Sequence, residues 1–92
     1  MTRIVVKQLI WDDANKEHIK KHDVSLEQVE EVGKNQLAHE KGHSGRYIII
    51  GRSGARILSV VIRRIKTGIY YPVTARDADK DERRRVYEKE SK

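Results

Sequence analysis

The sequence predicts an α+β fold: an N-terminal strand, two short helices, an antiparallel meander of three or four strands, and a C-terminal helix. The main observation is a change of hydrophobic spacing near Gly33, from the helical period of about 3.6 residues to the two-residue alternation of strands. A second observation is that short turn-forming segments separate the apolar runs after that point, as in strands joined by tight turns. With 92 residues, the chain is predicted to form a single domain over residues 1–92.

The first element is predicted from the β-branched segment Arg3–Trp11, which is typical of a strand or an extended lead-in. Asp12 and Asp13 follow it, and aspartate is a preferred residue at a helix N-terminus. A short polar helix is therefore expected to run from there to His22.

A second helix begins with the strongest start signal in the chain. Ser25 and Gln28 have the spacing of a capping box, in which each side chain satisfies a free backbone N–H of the other residue. Val24 and Val29 have the spacing of a hydrophobic staple around the same turn. Gly33 is predicted to end this helix, since glycine tolerates the left-handed conformation that often terminates helices.

Apolar runs separated by turn residues predict the strands of the meander. Three runs are clear and a fourth is short: 47–50, 57–62, 69–73 and 36–39. Pro72 has no backbone N–H to donate, so its strand is expected at an edge of the sheet or with a bulge there.

The C-terminal helix is predicted to begin at Asp79, whose capping-box partner is Glu82, and to continue through Glu90. Only Val86 and Tyr87 are apolar on it. The helix must therefore dock through these two residues or through a partner.

Composition restricts the possible function classes. The chain has no cysteine, which excludes disulfides and thiolate metal sites. Its apolar runs are far shorter than a membrane span, and the N-terminus lacks the pattern of a secretory signal. A cytoplasmic protein without membrane contact is expected.

Positive charge is concentrated in the second half of the chain. The net charge is +6 overall, −1 for residues 1–45 and +7 for residues 46–92, and nine of the ten arginines lie in the second part. Basic surfaces attract polyanions, and the planar guanidinium forms paired hydrogen bonds with phosphate. The pattern favours contact with nucleic acid, and the alternative is a solvated basic face.

Five arginines lie at the ends of predicted strands: Arg46, Arg52, Arg63, Arg64 and Arg76. Because strand ends come together in a meander, several of these guanidiniums and the ring of Tyr71 are expected to line one groove that holds RNA phosphates and stacks bases. Arg63 and Arg64 are consecutive, so at most one of them is expected to point into that groove. The alternative is a set of exposed charges that discourage aggregation between sheet edges.

His18 and His22 are four residues apart on the first helix, a spacing that can hold a metal ion. A metal site needs a third ligand, and no carboxylate accompanies the pair in the pattern of a zinc protease. No metal and no cofactor are predicted.

Five blocks of the sequence, taken in order, resemble the BrnT family of bacterial toxins. The matching residues are Trp11-Asp12, Asn15, His18, His22-Asp23-Val24, Arg46-Tyr47, Ile50-Gly51, Arg56, Leu58, Val60-Val61, Thr74-Ala75-Arg76, Glu82-Arg83 and Tyr87. Asp23, Leu26 and Thr74 stand where the family commonly has glycine, phenylalanine and serine. The segment before Thr74 is one residue longer than the family pattern.

The resemblance implies a RelE-like fold and the toxin component of a type II toxin-antitoxin system. It implies a metal-independent endoribonuclease whose cleavage of RNA inhibits translation and growth. It also implies a cognate antitoxin, often a ribbon-helix-helix protein, which blocks the toxin and mediates any contact with operator DNA.

Metal-free RNA cleavage uses the ribose 2′-hydroxyl as nucleophile, while the protein moves protons and stabilises the extra charge on the phosphate. The candidate phosphate clamps are Arg76, Arg46 and one of the pair Arg63 and Arg64. His22 is the candidate acid or base, since histidine titrates near neutral pH, and a structural role in its turn is the alternative. The candidates for further RNA contacts are Arg52, Tyr47, Tyr71 and Arg83. The competing hypothesis is a non-catalytic module that binds RNA or an acidic protein.

Overall fold

The computed structural model describes residues 4–91 and contains one mixed sheet and three helices. The strands are β1 (Gln8–Leu9), β2 (Gln36–Lys41), β3 (Arg46–Ser53), β4 (Arg56–Lys66) and β5 (Ile69–Asp77). The helices are α1 (Asp13–Lys20), α2 (Leu26–Lys34) and α3 (Lys80–Glu90). The predicted α+β class and the order of its elements are confirmed.

The sheet has the order β1-β5-β4-β3-β2. Strands β2 to β5 form an antiparallel meander, so the short run at 36–39 is a strand, which extends to Lys41. The turn between β3 and β4 contains Gly54 with a φ of 61°, a conformation that glycine adopts at little cost. None of the helices in residues 4–91 has the length and apolar character needed to cross a membrane.

The predicted N-terminal strand is much shorter than the apolar segment that suggested it. Only Gln8 and Leu9 pair with β5, in parallel, and Ile10 then donates its backbone N–H to the Tyr70 carbonyl at 2.9 Å. The strand ends there because Asp12 already caps α1. The predicted start of the strand, at Arg3, lies outside the described residues.

Helices α1 and α2 pack on one face of the sheet. Their buried side chains, which include Ile19, Val29 and Val32, form one apolar core with strand residues of β3, β4 and β5. The strand residues of this core include Ile49, Leu58, Val60, Ile62 and Ala75. Helix α3 packs with a second, smaller cluster, in which Val86 is buried with Ile50 and Ile57. The sheet is therefore covered by helices on both faces.

The two predicted capping boxes are both present. The Ser25 hydroxyl accepts from the Gln28 backbone N–H at 3.1 Å, and the Gln28 carbonyl oxygen accepts from the Ser25 N–H at 2.9 Å. Asp79 and Glu82 make the same reciprocal bonds, both at 2.9 Å, at the start of α3. Local sequence patterns thus determine where two of the three helices begin.

The predicted end of α2 at a left-handed Gly33 is wrong. The helix continues through Gly33 to Lys34 and is capped by Asn35. Gly33 instead lies where the N-terminal segment crosses the helix, since a Cβ on it would stand 3.4 Å from Leu9 Cδ1. The left-handed residue in this region is Asp23, with a φ of 59°, in the turn between α1 and α2.

The docking of α3 differs in part from the prediction. Val86 is fully buried, but Tyr87 is 51% exposed, with its ring 5.9 Å from the Arg52 guanidinium carbon. One apolar residue of the helix, rather than two, is inserted into the core. The remaining attachment of α3 is polar.

Pro72 lies at a bulge, as predicted. Val61 pairs with Thr74 and Ile62 pairs with Pro72, so Val73 has no partner on β4. The bulge changes the register by one residue, and as a result Arg63 lies opposite Tyr71.

Candidate functional site

The meander brings Arg46, Arg63 and Tyr71 to one place on the sheet. Arg63 pairs with Arg46 on β3 and with Tyr71 on β5. Directly opposed residues of adjacent strands point to the same face, which here is the face that carries α3 farther along. We call this group of three residues the open basic face. Arg64, the next residue, belongs to the opposite face by strand alternation, and its Nη2 donates to the Thr67 hydroxyl at 3.1 Å.

Arg76 and Arg52 lie farther along the sheet. Arg76 pairs with Ser59, which precedes Arg63 by four residues on β4, or about 13 Å along a strand. Arg52 pairs with Ile57, still farther in the same direction. The strand-end arginines are therefore divided between two places: Arg46 and Arg63 lie with Tyr71, whereas Arg76 and Arg52 lie at the other end of these strands, which we call the far end of the sheet. In an antiparallel meander the start of one strand lies beside the end of the next. Arg46, at the start of β3, therefore lies at the opposite end of the sheet from Arg52, at the end of the same strand.

The arginines at the far end are paired with carboxylates. Arg52 contacts Glu90, Arg56 contacts Asp77 at 2.7 Å, and Arg76 contacts Glu82 at 2.8 Å. The hydrogen bonds that these guanidiniums donate to the carboxylates raise the pKa of each guanidinium. The same bonds hold the pKa of Asp77 and Glu90 below the usual range. These arginines are held in place by the protein's own anions.

The Arg76 pair is the anchor of α3. Both terminal nitrogens of Arg76 donate to Glu82, at 2.8 and 3.1 Å, and the Ser59 hydroxyl donates to the same carboxylate at 3.1 Å. The Glu82 side chain is 8% exposed, whereas the Arg76 side chain is 47% exposed. Arg76 therefore has a structural partner on one side and an accessible surface on the other.

Arg46, Arg63 and Arg64 differ from the arginines of the far end. Within residues 4–91, no carboxylate lies within 4.0 Å of their guanidiniums. All three residues are exposed. Their N–H groups thus meet no carboxylate among residues 4–91 and are available to an external anion.

Arg63 lies over an aromatic ring. Its guanidinium carbon is 5.0 Å from the centroid of the Tyr71 ring, within the range of a cation–π interaction. The Tyr71 hydroxyl contacts both carboxylate oxygens of Asp12, at 2.9 and 3.1 Å. This hydrogen bond raises the pKa of Tyr71. The pKa of Asp12 is lowered, first by the backbone N–H of Asn15 and then by Tyr71, so the pair is a neutral phenol and a carboxylate near neutral pH.

The other predicted site residues lie away from the open basic face. Tyr47 is half-buried in the core under α1 and α2, and its ring meets that of Tyr70 edge to face at 6.2 Å. Arg83 donates to the Ala78 carbonyl at 2.7 Å, at the start of α3. His22 is exposed in the turn after α1, with its ring 5.2 Å from that of His18. Among residues 4–91, no three histidine or carboxylate side chains are grouped as a metal site would require.

Two residues near the open basic face were not among the predicted site residues. For Asp12 the sequence predicts only a helix cap, although the Trp11-Asp12 pair belongs to the block that resembles BrnT. His43 lies in the loop that leads into β3, where its carbonyl accepts from the Arg46 N–H at 3.1 Å. A histidine in a turn does not by itself indicate a functional site. The loop's backbone hydrogen bonds bring His43 close to Arg46, and the sequence does not show them.

Comparison with known proteins identifies the family and the fold. A family model described as the ribonuclease toxin, BrnT, of type II toxin-antitoxin systems matches residues 11–82. The 1.1 Å crystal structure of the Brucella abortus ribonuclease toxin BrnT aligns with a TM-score of 0.63 and 19% sequence identity, over 79% of this chain and 97% of that one. At this identity the structural match shows the fold alone. No curated protein matches the sequence. Since the family model spans most of the chain, the protein belongs to the BrnT family of type II toxins, which are ribonucleases by description.

Proposed function

We propose that this protein is an endoribonuclease toxin that cleaves RNA without a metal ion and thereby inhibits translation and growth. One observation carries the proposal. Arg46 and Arg63 are neighbouring exposed guanidiniums on one face of the sheet, and neither has a carboxylate partner within residues 4–91. Membership of a family of ribonuclease toxins supports the same reaction.

Unpaired guanidiniums suit phosphate binding for an energetic reason. A guanidinium that already contacts a carboxylate must give up that contact before it can bind a new anion, whereas Arg46 and Arg63 need only lose water. Each presents a planar set of donors that matches two phosphate oxygens. Neighbouring positions on adjacent strands also allow both arginines to contact one phosphate, or two consecutive phosphates of a polymer.

The chemistry requires charge stabilisation at the phosphate. When the 2′-hydroxyl attacks, negative charge accumulates on the non-bridging oxygens, and donors aimed at those oxygens bind the transition state more strongly than the ground state. We assign this task to Arg63 and Arg46. Removing one donor of this kind lowers kcat by about 10²–10³-fold in comparable sites. Arg76, whose guanidinium is half exposed, and Arg64 are assigned to the flanking RNA backbone, as are Arg52 and Arg83.

Proton transfer needs a titratable group beside the phosphate. His22 lies in the turn after α1, where the Asp23 carbonyl accepts from Arg56 at 2.6 Å, so it belongs to the far end of the sheet. His43 lies in the β2–β3 loop three residues before Arg46, and its carbonyl accepts from the Arg46 backbone N–H at 3.1 Å. We therefore propose His43 as the acid or base, and a structural role for His22. In a cleavage assay, His43→Ala should lose activity and His22→Ala should retain it; the reverse result would restore His22.

A protein partner follows from the type II family. We propose a cognate antitoxin, of the ribbon-helix-helix type expected from the resemblance, that covers the open basic face and alone contacts operator DNA. Positive charge without internal partners would favour an acidic segment of that antitoxin. Co-expression of the antitoxin should restore growth.

The test is inducible expression in bacteria of the wild type, Arg46→Ala and Arg63→Ala, with growth and total RNA followed after induction. Arg84→Ala is the matched control, because it removes the same charge from an exposed side chain whose nearest carboxylate is 3.9 Å away. We expect growth arrest and RNA cleavage for the wild type and the control only. The purified wild type should also cleave RNA in the presence of EDTA, and loss of cleavage there would contradict metal independence.

The alternative function is a non-catalytic module that binds RNA or an acidic protein through the same face. It predicts soluble expression of the wild type with normal growth and intact RNA. It also predicts that purified protein binds RNA and leaves it uncut.

A further inference from the structure

We propose that Tyr71 and Asp12 are positioning residues, which hold the guanidinium of Arg63 in the orientation that the substrate phosphate requires. The inference rests on the proposed ribonuclease function and assigns roles in it to two residues beyond the phosphate clamps. It depends on a chain of three contacts, from the first turn of α1 through the Tyr71 ring to Arg63.

The first contact fixes Arg63 without occupying its donors. The Tyr71 ring lies 5.0 Å from the guanidinium carbon, and a ring face attracts the cation as a whole rather than its individual N–H groups. A carboxylate at the same place would neutralise the charge and accept from the N–H groups, as Glu82 does for Arg76. An aromatic support therefore restricts the side chain and leaves its hydrogen bonds for phosphate.

The second contact fixes the ring. The Tyr71 hydroxyl donates to Asp12, and the bond raises the pKa of Tyr71. A phenol held in this way is a poor proton donor or acceptor near neutral pH, because its ionisation would place two negative charges side by side. Its contribution is the position of the ring, and proton transfer falls to another group.

The third contact fixes Asp12. Its carboxylate accepts from the Asn15 N–H at 2.8 Å, and Asn15 is 3% exposed. The Asn15 amide donates to the carbonyls of Ile10 and Pro72, at 3.0 and 3.1 Å. The start of α1 is thus attached to β5 at the residue that follows Tyr71.

The bulge in β5 completes the arrangement. If the pairing of Val61 with Thr74 continued without interruption, Arg63 would lie opposite Pro72. The unpaired residue Val73 shifts the register, so Tyr71 takes that position. The aromatic support of Arg63 therefore depends on the extra residue in this strand.

The experiment measures kcat and KM of purified variants on a synthetic single-stranded oligoribonucleotide that the wild type cleaves. We expect Tyr71→Leu to lower kcat by about tenfold with little change of KM, since small misplacements of a catalytic group act mainly on the rate. Tyr71→Phe keeps the ring and should lose only about threefold. Asp12→Ser keeps a helix-capping oxygen but removes the carboxylate, and it should behave like Tyr71→Phe. Tyr87→Leu, at the other tyrosine whose ring lies under an arginine, is the matched control and should leave kcat unchanged.

The decisive measurement is a double-mutant cycle with Arg63→Ala. If Tyr71 acts through Arg63, then Tyr71→Leu has no further effect on kcat once Arg63 is absent. An equal loss in both backgrounds overturns the inference while the proposed function stands. Full cleavage by Arg63→Ala overturns the proposed active site, and the inference with it. If circular dichroism shows that Tyr71→Leu does not fold, the same cycle is run with Tyr71→Phe and Asp12→Ser.

Discussion

Arg76 extends from β5 to the first turn of α3, where its two terminal nitrogens contact Glu82. The Glu82 carboxylate is nearly enclosed, and it also accepts from the Ser59 hydroxyl and the Asp79 backbone N–H. A buried carboxylate that loses its cation keeps the cost of leaving water without the compensating attraction. Removal of Arg76 should therefore lower the stability of the fold, in addition to any effect on RNA cleavage.

We expect Arg76→Ala to lower the free energy of unfolding by about 1–3 kcal/mol, because Glu82 keeps two other donors and water can reach the vacated side. Arg46→Ala, at an exposed residue without a carboxylate partner in residues 4–91, should change it by less than about 0.5 kcal/mol. Urea unfolding of both variants gives the comparison. An Arg76→Ala variant as stable as Arg46→Ala would show that Glu82 does not depend on Arg76.

The sequence could not separate Arg76 from Arg63 as phosphate clamps. Both lie near strand ends, and both directly follow an apolar residue. What distinguishes them is a carboxylate six residues beyond Arg76 that folds back on it, and the absence of one near Arg63 within residues 4–91. The charge and the residue type were predictable from the sequence, but the partner depends on tertiary packing.

At the scale of elements, two glycines have different structural roles. Gly33 lies inside α2, where a methyl group on its Cα would meet Leu9 and Val6 at ordinary van der Waals distance. Gly54 lies in the β3–β4 turn with a φ of 61° and open space around its Cα. Only the second glycine is required by its backbone conformation.

Gly33→Ala should stabilise the protein by about 0.5 kcal/mol, since alanine gains up to about 1 kcal/mol in a helix interior and the contact with Leu9 removes part of it. Gly54→Ala should destabilise it by about 1 kcal/mol, because L side chains disfavour a positive φ. Thermal unfolding of the two variants tests the pair. A destabilised Gly33→Ala would indicate that α2 ends at Gly33 in a left-handed turn, as the sequence alone suggested.

Helix α3 should be sensitive to acid at its C-terminal end. Arg52 holds the pKa of Glu90 below its usual range, so the pair contributes stability above the unfolded-state value, about 4.3, and loses it as the pH falls through the folded-state value. We expect Glu90→Gln to be less stable than the wild type at pH 7, with the difference vanishing at low pH. Urea unfolding over a pH series measures this, with Glu88→Gln as an exposed control. A difference that is constant with pH would contradict the ion pair.

The elements that the sequence predicted well are those coded by neighbouring residues. Ser25 with Gln28, and Asp79 with Glu82, are complete signals within one helical turn, and both helices begin as expected. The length of β1 is overestimated by the sequence pattern, because this length depends on pairing with β5, which comes much later in the chain. The bulge at Val73 gives β5 one residue more than the paired segment of β4 and shifts the register by one residue, which no pattern of neighbouring residues indicates apart from Pro72.

At the scale of the whole molecule, the net charge of +6 is distributed unevenly. The far end of the sheet carries arginines that are balanced by Asp77, Glu82 and Glu90. Among the described residues 4–91, Arg46 and Arg63 on the open basic face have no carboxylate partner. The sequence predicted a basic second half but not its division, because the pairing of arginines with acids depends on the register of the strands and on the docking of α3.

This division predicts a specific dependence of RNA binding on salt. The affinity for a 2′-O-methyl oligoribonucleotide, which cannot be cleaved through its 2′ position, should fall with salt with a slope of about −0.7 for each phosphate bound by the protein. Replacing both Arg46 and Arg63 by Ala should reduce the magnitude of that slope by about 0.7 for each phosphate that is no longer bound, whereas Arg84→Ala should leave it unchanged. Fluorescence anisotropy over a range of KCl concentrations gives the slopes. If Arg84→Ala changes the affinity and the slope as much as the double variant does, RNA binding reflects net charge rather than the open basic face. A change seen only in the double variant would indicate that phosphates contact Arg46 and Arg63 directly.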